Sequence, residues 1–124
     1  AIDKIKELYK DGYQMAVASS SSSECIISAF KRLGIYDCFS IYATADNTGL
    51  RKSTGEFWSS LVNELSRDAD EVILYDDALY ALEQAKNLGI EVVGIRDFPW
   101  NENDWEKIEE LSDYTLDSIR DISL

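Results

Sequence analysis

The chain has 124 residues, of which 45% are apolar, and this suits one domain with its own hydrophobic core. Twenty-four acidic residues against 12 basic ones leave a net charge of −12, which disfavours binding to nucleic acid or to an anionic membrane surface. Histidine is absent, which excludes Ser-His-Asp triads and histidine metal sites.

Apolar spacing predicts helices and strands in alternation along the whole chain. In chain order we predict a helix at 2–9, a strand at 15–18, a helix at 26–33, a strand at 39–43, a helix at 57–65, a strand at 72–75, a helix at 78–88, a strand at 91–95, a helix at 105–111 and a short strand at 114–116. Alternating elements with short connections predict an α/β fold, a parallel sheet with helices on both faces.

Ligands bind to such sheets outside the carboxyl ends of the strands. Three segments lie at those ends in this sequence. They are Ser19 and Ser20 after the first strand, residues 44–52 after the second, and Asp76 and Asp77 after the third.

Five serines follow the first strand in the stretch "AVASSSSSE". Ser21 and Glu24 have the spacing of a capping box, which predicts that the next helix starts near Ser22. Ser19 then lies at the strand tip and Ser20 in the turn, beside a helix N-terminus that suits an oxyanion such as phosphate. The alternative is that these serines serve only as turn and cap residues.

Lys52 lies just before or at the start of the helix that contains residues 57–65, with Ser53 or Thr54 as the expected cap. A lysine there opposes the positive end of the helix dipole, which hints that an anion shares the site. Arg51 could take this role instead, and a solvated basic residue is the other alternative.

Two adjacent carboxylates, Asp76 and Asp77, follow the apolar strand "VILY". Their mutual repulsion would be relieved by a cation, and carboxylate oxygens suit Mg²⁺. We therefore predict a metal site here, with a helix cap supplied by one aspartate as the alternative.

These segments, in this order, resemble the haloacid dehalogenase-like hydrolase superfamily, in its phosphoglycolate phosphatase and β-phosphoglucomutase branch. The family's strand ending in Ser or Thr is matched by "QMAVAS", and its lysine ahead of a helix by "RKSTGEFW". Its acidic pair, followed by a helix and a strand, is matched by "VILYDDALYALEQAKNLGIEVVGI". The resemblance covers nearly the whole chain, but Ser53 stands where the family commonly has a proline.

The resemblance implies a three-layer α/β/α Rossmann-like core and a Mg²⁺-dependent phosphatase or phosphomutase. Such an enzyme acts on a small phosphorylated metabolite through an aspartyl-phosphate. By position, the Ser19 hydroxyl and the Ser20 backbone N–H would hold the phosphoryl oxygens. Lys52 would be catalytic, neutralising charge on the phosphoryl group and the nucleophile, and Asp76 and Asp77 would bind or orient Mg²⁺.

The family's first motif, Asp-x-Asp-Gly-Thr after a strand, is absent from this sequence. In the family that strand lies centrally in the sheet, beside the strands that carry the serine and the acidic pair. We therefore expect residues 1–124 to be the C-terminal portion of the core domain. The nucleophile strand and any cap domain would lie upstream, or another chain would complete the sheet. The alternative is a non-catalytic binding or regulatory module with the same fold.

Cys25 and Cys38 lack the spacing of a metal site, which predicts two reduced and mostly buried thiols in a cytoplasmic protein. No stretch approaches the ~20 apolar residues of a membrane span.

Overall fold

The computed structural model describes residues 1–124, and the chain divides into two units, Ala1–Lys52 and Ser53–Leu124. Each unit contains its own parallel sheet with helices packed on it. The two units are described separately below.

The first unit is built on a two-stranded parallel sheet. Its elements are α1 (Ile2–Lys10), β1 (Ala16–Ser19), α2 (Ser23–Leu33), β2 (Ile41–Thr44) and the short helix α3 (Ala45–Thr48). Ser19 at the end of β1 is paired in register with Thr44 at the end of β2. The carboxyl ends of both strands therefore lie side by side.

An aromatic cluster holds α2 against β2. The Phe30 ring of α2 lies 5.4 Å from the Phe39 ring and 5.8 Å from the Tyr42 ring, measured between centroids. Tyr36 stacks on the other side of Tyr42 at 5.3 Å. Such pairs contribute beyond the area they bury, so this cluster forms the core of the first unit together with the buried Ile35.

The second unit is built on a three-stranded parallel sheet in the order β3-β4-β5. Its elements are α4 (Gly55–Leu65), β3 (Ile73–Asp76), α5 (Leu79–Leu88), β4 (Glu91–Ile95), α6 (Trp105–Leu111) and β5 (Tyr114–Leu116). Asp76 at the end of β3 is paired with Gly94 of β4. The loops that follow β3 and β4 therefore start at the same edge of this sheet.

The core of the second unit lies between α4, α5, α6 and the sheet. Its largest fully buried side chains are Trp58, Phe57, Leu82, Ile108, Val92 and Val93. Gly94 allows α6 to approach the central strand closely, because a Cβ atom there would overlap the Ile108 side chain. Both faces of β4 are buried, since its consecutive residues Val92 and Val93 are both inaccessible to solvent, as expected for a central strand of a parallel sheet.

The predicted α/β class is confirmed, and every predicted helix and strand is present. β1 and β3 each begin and end one residue later than predicted, so Ser19 and Asp76 are the last residues of their strands. The helix α3 was not predicted; it starts with a capping box between Thr44 and Asn47 inside the predicted loop 44–52.

The chain has two separate sheets, whereas the family that it resembles typically has one continuous sheet. β1 pairs only with β2, and β3 pairs only with β4, so β1 and β3 each have one unpaired edge. This is the arrangement expected of a Rossmann-like core that lacks its central strand.

Both cysteines are free thiols, and Cys38 is buried as predicted. The prediction of a mostly buried thiol was wrong for Cys25, which is exposed because it lies on the solvent side of the first turn of α2. No helix combines the length and apolar character needed to span a membrane.

Candidate functional site

The serines after β1 cap α2 one residue later than predicted. α2 begins at Ser23, and its N-cap is Ser22, whose extended backbone lets its Oγ accept a hydrogen bond from the Cys25 N–H at 3.2 Å. The predicted capping box between Ser21 and Glu24 was therefore wrong. A capping side chain accepts from the third N–H of its helix, which here belongs to Cys25. The residue three positions before Cys25 is Ser22.

Ser19, the predicted phosphate ligand, is half-buried at the tip of β1. Its Oγ accepts a hydrogen bond from the Ser21 N–H at 3.1 Å, which closes the turn that contains Ser20. A hydroxyl that accepts one bond still has its proton to donate, and an anionic oxygen is a suitable acceptor. The geometry thus suits a phosphate ligand, because the Ser19 hydroxyl can donate to phosphate while it still accepts the hydrogen bond that closes the turn.

Asp46, to which the sequence assigned no role, binds the amino end of α2. The Ser23 N–H donates to its two oxygens at 3.1 and 3.2 Å, and the Ser23 hydroxyl donates at 2.8 Å. The Thr44 hydroxyl also donates to it. The hydrogen bond from Thr44, followed by those from Ser23, lowers the pKa of Asp46 to about 2.

Lys52 is half-buried in the segment that leads into α4. Thr54 is the N-cap of that helix, which is one of the two predicted positions, but its side chain makes no capping hydrogen bond. The role of Lys52 as the phosphate-neutralising cation stays a prediction.

Asp76 is buried, and part of its carboxylate is used by the backbone. Its Oδ1 accepts hydrogen bonds from the Asp77 N–H at 2.8 Å and from the Ala78 N–H at 3.0 Å. These bonds hold the turn that leads from β3 into α5. The alternative of a helix cap supplied by an aspartate is wrong, because the N-cap of α5 is Ala78 and no side chain caps that helix.

Asp77 lies half-buried beside two other carboxyl groups. Its pKa is raised to about 6, first by burial, then by a side-chain hydrogen bond with Asp97 and by the charge of Asp76. Sequence reasoning missed Asp97. The strand-end rule could have found it, because it lies just beyond the end of β4 at the same edge of the sheet.

The chemistry of these donors fits a share of a Mg²⁺ site. No group of three or more Asp, Glu, Cys or His side chains in the chain is arranged as a complete metal-binding cluster. Mg²⁺, however, keeps several waters and is commonly bound through only one or two carboxylates together with substrate phosphates. Asp76 and Asp77 can provide that many oxygens, and a cation beside them would offset their repulsion.

The candidate residues are divided between the two units. Ser19, Ser20 and Lys52 belong to the first unit, and Asp76 and Asp77 to the second. The roles predicted for these five residues remain predictions.

A sequence profile of the family described as haloacid dehalogenase-like hydrolase matches residues 1–95. The matched range contains all five candidate residues and ends before Asp97. Among curated proteins, none matches the chain significantly.

Solved structures share the fold of this chain at low sequence identity. A predicted phosphoglycolate phosphatase from Haemophilus somnus superposes with a TM-score of 0.81 at 18% identity, over 96% of this chain and 52% of its own. A CbbY variant from Rhodobacter sphaeroides, in complex with xylulose-(1,5)-bisphosphate, gives 0.80 at 22%, over 98% and 53%. The β-phosphoglucomutase of Clostridium difficile gives 0.74 at 17%, over 98% and 50%. The chain thus spans about half the length of the proteins whose fold it shares.

Proposed function

This chain belongs to the haloacid dehalogenase-like hydrolase family, and we propose that it is the C-terminal portion of the core domain of a Mg²⁺-dependent phosphatase or phosphomutase. The substrate class is a small phosphorylated metabolite. The location is the cytoplasm, where free thiols such as Cys25 and Cys38 stay reduced.

The observation that carries this proposal is the crowding of carboxyl groups at the end of β3. Asp77 is half-buried, its pKa is raised to about 6, and its neighbours Asp76 and Asp97 are also acids. Repulsion of this kind is costly in a purely structural turn, and strongly perturbed carboxyls cluster at functional sites. A bound cation would relieve this repulsion between carboxylates, and the free energy so gained would favour cation binding.

The residues of this chain supply positioning and charge. In this proposal the Ser19 hydroxyl and the Ser20 backbone N–H hold oxygens of the phosphoryl group, and the Lys52 ammonium neutralises its charge. Asp76 and Asp77 hold Mg²⁺, which when bound neutralises the phosphoryl oxygens as a Lewis acid. Phosphoryl transfer needs little beyond such positioning and electrostatics, because its transition state is loose and highly charged.

The nucleophile of the proposed reaction is an aspartate outside residues 1–124. Two observations support this part of the proposal: structures with the same fold are about twice as long, and β1 and β3 each have an unpaired edge. An unpaired edge presents backbone N–H and C=O groups with which a further strand can pair. We propose that a segment upstream, or another chain, provides that strand together with the nucleophile, and that any cap domain is also upstream.

The test is hydrolysis of p-nitrophenyl phosphate by the full-length protein, with Mg²⁺ and with a chelator. We expect turnover only with Mg²⁺, and a loss of about 100-fold or more in Asp77→Asn. Asp70→Asn, at an exposed acidic residue outside the site, is the matched control and should keep full activity. Undiminished turnover in Asp77→Asn would remove this residue from the site. Binding of phosphate esters without any turnover would favour a non-catalytic module.

A further inference from the structure

Asn101 is a fully buried polar residue in the loop between β4 and α6, with only 1% of its surface exposed. Its side-chain oxygen accepts a hydrogen bond from the Asp97 N–H at 2.9 Å. Its side-chain nitrogen donates to the carbonyl oxygens of Asp77 and Ile95, both at 3.0 Å. The amide thus uses its acceptor and both of its donors, as a buried asparagine must if it is not to destabilise the fold.

These three hydrogen bonds join two separate loops. One loop begins with Asp77 after β3, and the other leads from Ile95, the last residue of β4, through Asp97. A fourth bond, from the Asn101 N–H to the Asp97 carbonyl at 2.9 Å, closes the second loop on itself. All four bonds involve backbone atoms, so Asn101 fixes the two stretches of main chain from which the Asp77 and Asp97 side chains project.

Holding these two acids side by side requires such a connection. The Asp77 and Asp97 carboxyl groups are close enough to interact, and two carboxylates at such a separation repel each other. Asp97 is exposed, so packing around its own side chain does not hold it in place. A buried group must therefore hold this loop in place. Asn101 is the buried residue that binds both the loop of Asp97 and the loop of Asp77.

We propose that Asn101 is a positioning residue for Asp77 and Asp97. By keeping the loop of Asp97 beside Asp77, it sets the strength of cation binding at these acids. This inference deepens the proposed function and rests on it, since it assumes that Asp77 binds Mg²⁺. Residues that orient metal ligands from behind typically contribute about 10- to 100-fold in metal affinity.

The amide is required at this position because of what its neighbours offer. In Asn101→Leu the Asp97 N–H and the carbonyls of Asp77 and Ile95 lose their partner inside the protein. In Asn101→Asp the shape is kept, but a carboxylate faces two carbonyl oxygens and adds negative charge near the site. Both changes should release the loop, the second with almost no change in side-chain volume.

The experiment measures Mg²⁺ affinity by calorimetry in the full-length protein without substrate, next to kcat and KM for p-nitrophenyl phosphate. For Asn101→Asp we expect Kd for Mg²⁺ to rise by about 10- to 100-fold. We expect kcat at saturating Mg²⁺ to change much less. Val62→Ala is the matched control for stability, because Val62 is buried in α4 and contacts neither loop through a hydrogen bond. It should leave Kd unchanged.

Amide hydrogen exchange gives a second readout that needs no metal. Exchange at the Asp97 N–H should become faster in Asn101→Leu, which removes its acceptor, and stay unchanged in Val62→Ala. If Asn101→Leu does not fold, Asn101→Asp still decides the question. A folded Asn101→Asp with unaltered Kd overturns the inference and leaves the proposed function standing. Failure of the unaltered protein to bind Mg²⁺ overturns the proposed function itself.

Discussion

Asp46 receives hydrogen bonds from both the backbone N–H and the hydroxyl of Ser23, the latter at 2.8 Å, so a carboxylate of this chain binds the first turn of α2. A helix N-terminus attracts anions, and here part of that attraction is satisfied internally. A phosphate bound near Ser19 would therefore meet the turn of residues 19–21 and not the Ser23 N–H. The place where the Asp46 carboxylate binds the first turn of α2 is therefore distinct from the proposed phosphate site at Ser19.

The Asp46 carboxylate should stabilise the first unit at neutral pH. Its pKa in the folded protein, about 2, lies below its ordinary value of 3.8. The folded state therefore favours the ionised form, so the contribution is complete above pH 4 and is lost as the pH falls towards 2. We expect Asp46→Ala to lower Tm at pH 7, with a smaller difference from the unaltered protein at pH 2 to 3. A difference in Tm that does not depend on pH would contradict this role.

Ser22, and not Ser21, should carry the helix cap. Ser22→Ala removes the acceptor of the Cys25 N–H and should cost about 1 kcal/mol of unfolding free energy, measured by urea denaturation. Ser21→Ala should change it by only a few tenths of a kcal/mol, since the Ser21 backbone N–H, and not its side chain, makes the bond to Ser19. Equal losses in the two variants would argue against the cap at Ser22.

Ser19 should matter for phosphate more than for folding. In Ser19→Ala we expect KM for p-nitrophenyl phosphate and Ki for inorganic phosphate to rise by about tenfold or more in the full-length protein, the equivalent of one hydrogen bond to a charged group. Ser21→Ala is the control, because it lies in the same turn and keeps the Ser19 hydroxyl. A purely structural Ser19 would change Tm and leave Ki for phosphate unaltered.

Asp77 should destabilise the metal-free protein at neutral pH. Its pKa in the folded state, about 6, lies above the ordinary 3.8, so the folded state binds this proton more tightly than the unfolded state does. Stability should therefore fall as the pH rises from about 4 to 6, and the cost persists above that range. Asp77→Asn removes it and should raise the unfolding free energy at pH 7 by on the order of 1 kcal/mol, a figure reduced for solvent screening of a half-buried group.

The cation dependence of this effect provides its control. Mg²⁺ should raise Tm of the unaltered protein at pH 7 and should have a much smaller effect on Asp77→Asn, because ligand binding to the folded state stabilises it. Thermal unfolding with and without Mg²⁺ measures both. A metal-free Asp77→Asn protein less stable than the unaltered one at pH 7 would show that Asp77 is a structural residue.

Gly94 should be intolerant of even one added carbon. A Cβ atom there overlaps Ile108 of α6, with the Ser112 hydroxyl oxygen 3.1 Å away. Gly94→Ala should destabilise the protein by about 1–3 kcal/mol through overpacking, measured by urea denaturation. Gly55→Ala is a suitable control, since its added carbon would meet only the flexible end of the Gln84 side chain at 3.7 Å.

The sequence by itself determined the local structure and the order of the elements. Apolar periodicity predicted every strand and all helices except α3, and Gly34 and Gly89, with φ of +75° and +104°, end α2 and α5 where predicted. It also placed Ser19 and Asp76 at the carboxyl ends of strands, because each directly follows a short apolar run. The missing central strand was inferred from the family resemblance, because the Asp-x-Asp-Gly-Thr motif that follows this strand in the family is absent from the sequence.

Only the tertiary structure revealed the contacts that hold the candidate residues. Asp46 binds Ser23 across 23 residues of chain, and Asn101 binds the Asp77 carbonyl across 24. Neither contact can be predicted from the local sequence, because a single aspartate or asparagine in a loop could equally well be exposed to solvent. The N-cap of α2 differed for a related reason: four neighbouring serines can each serve as a cap, and the packing of the helix on β2 decides which of them lies at the N-cap position.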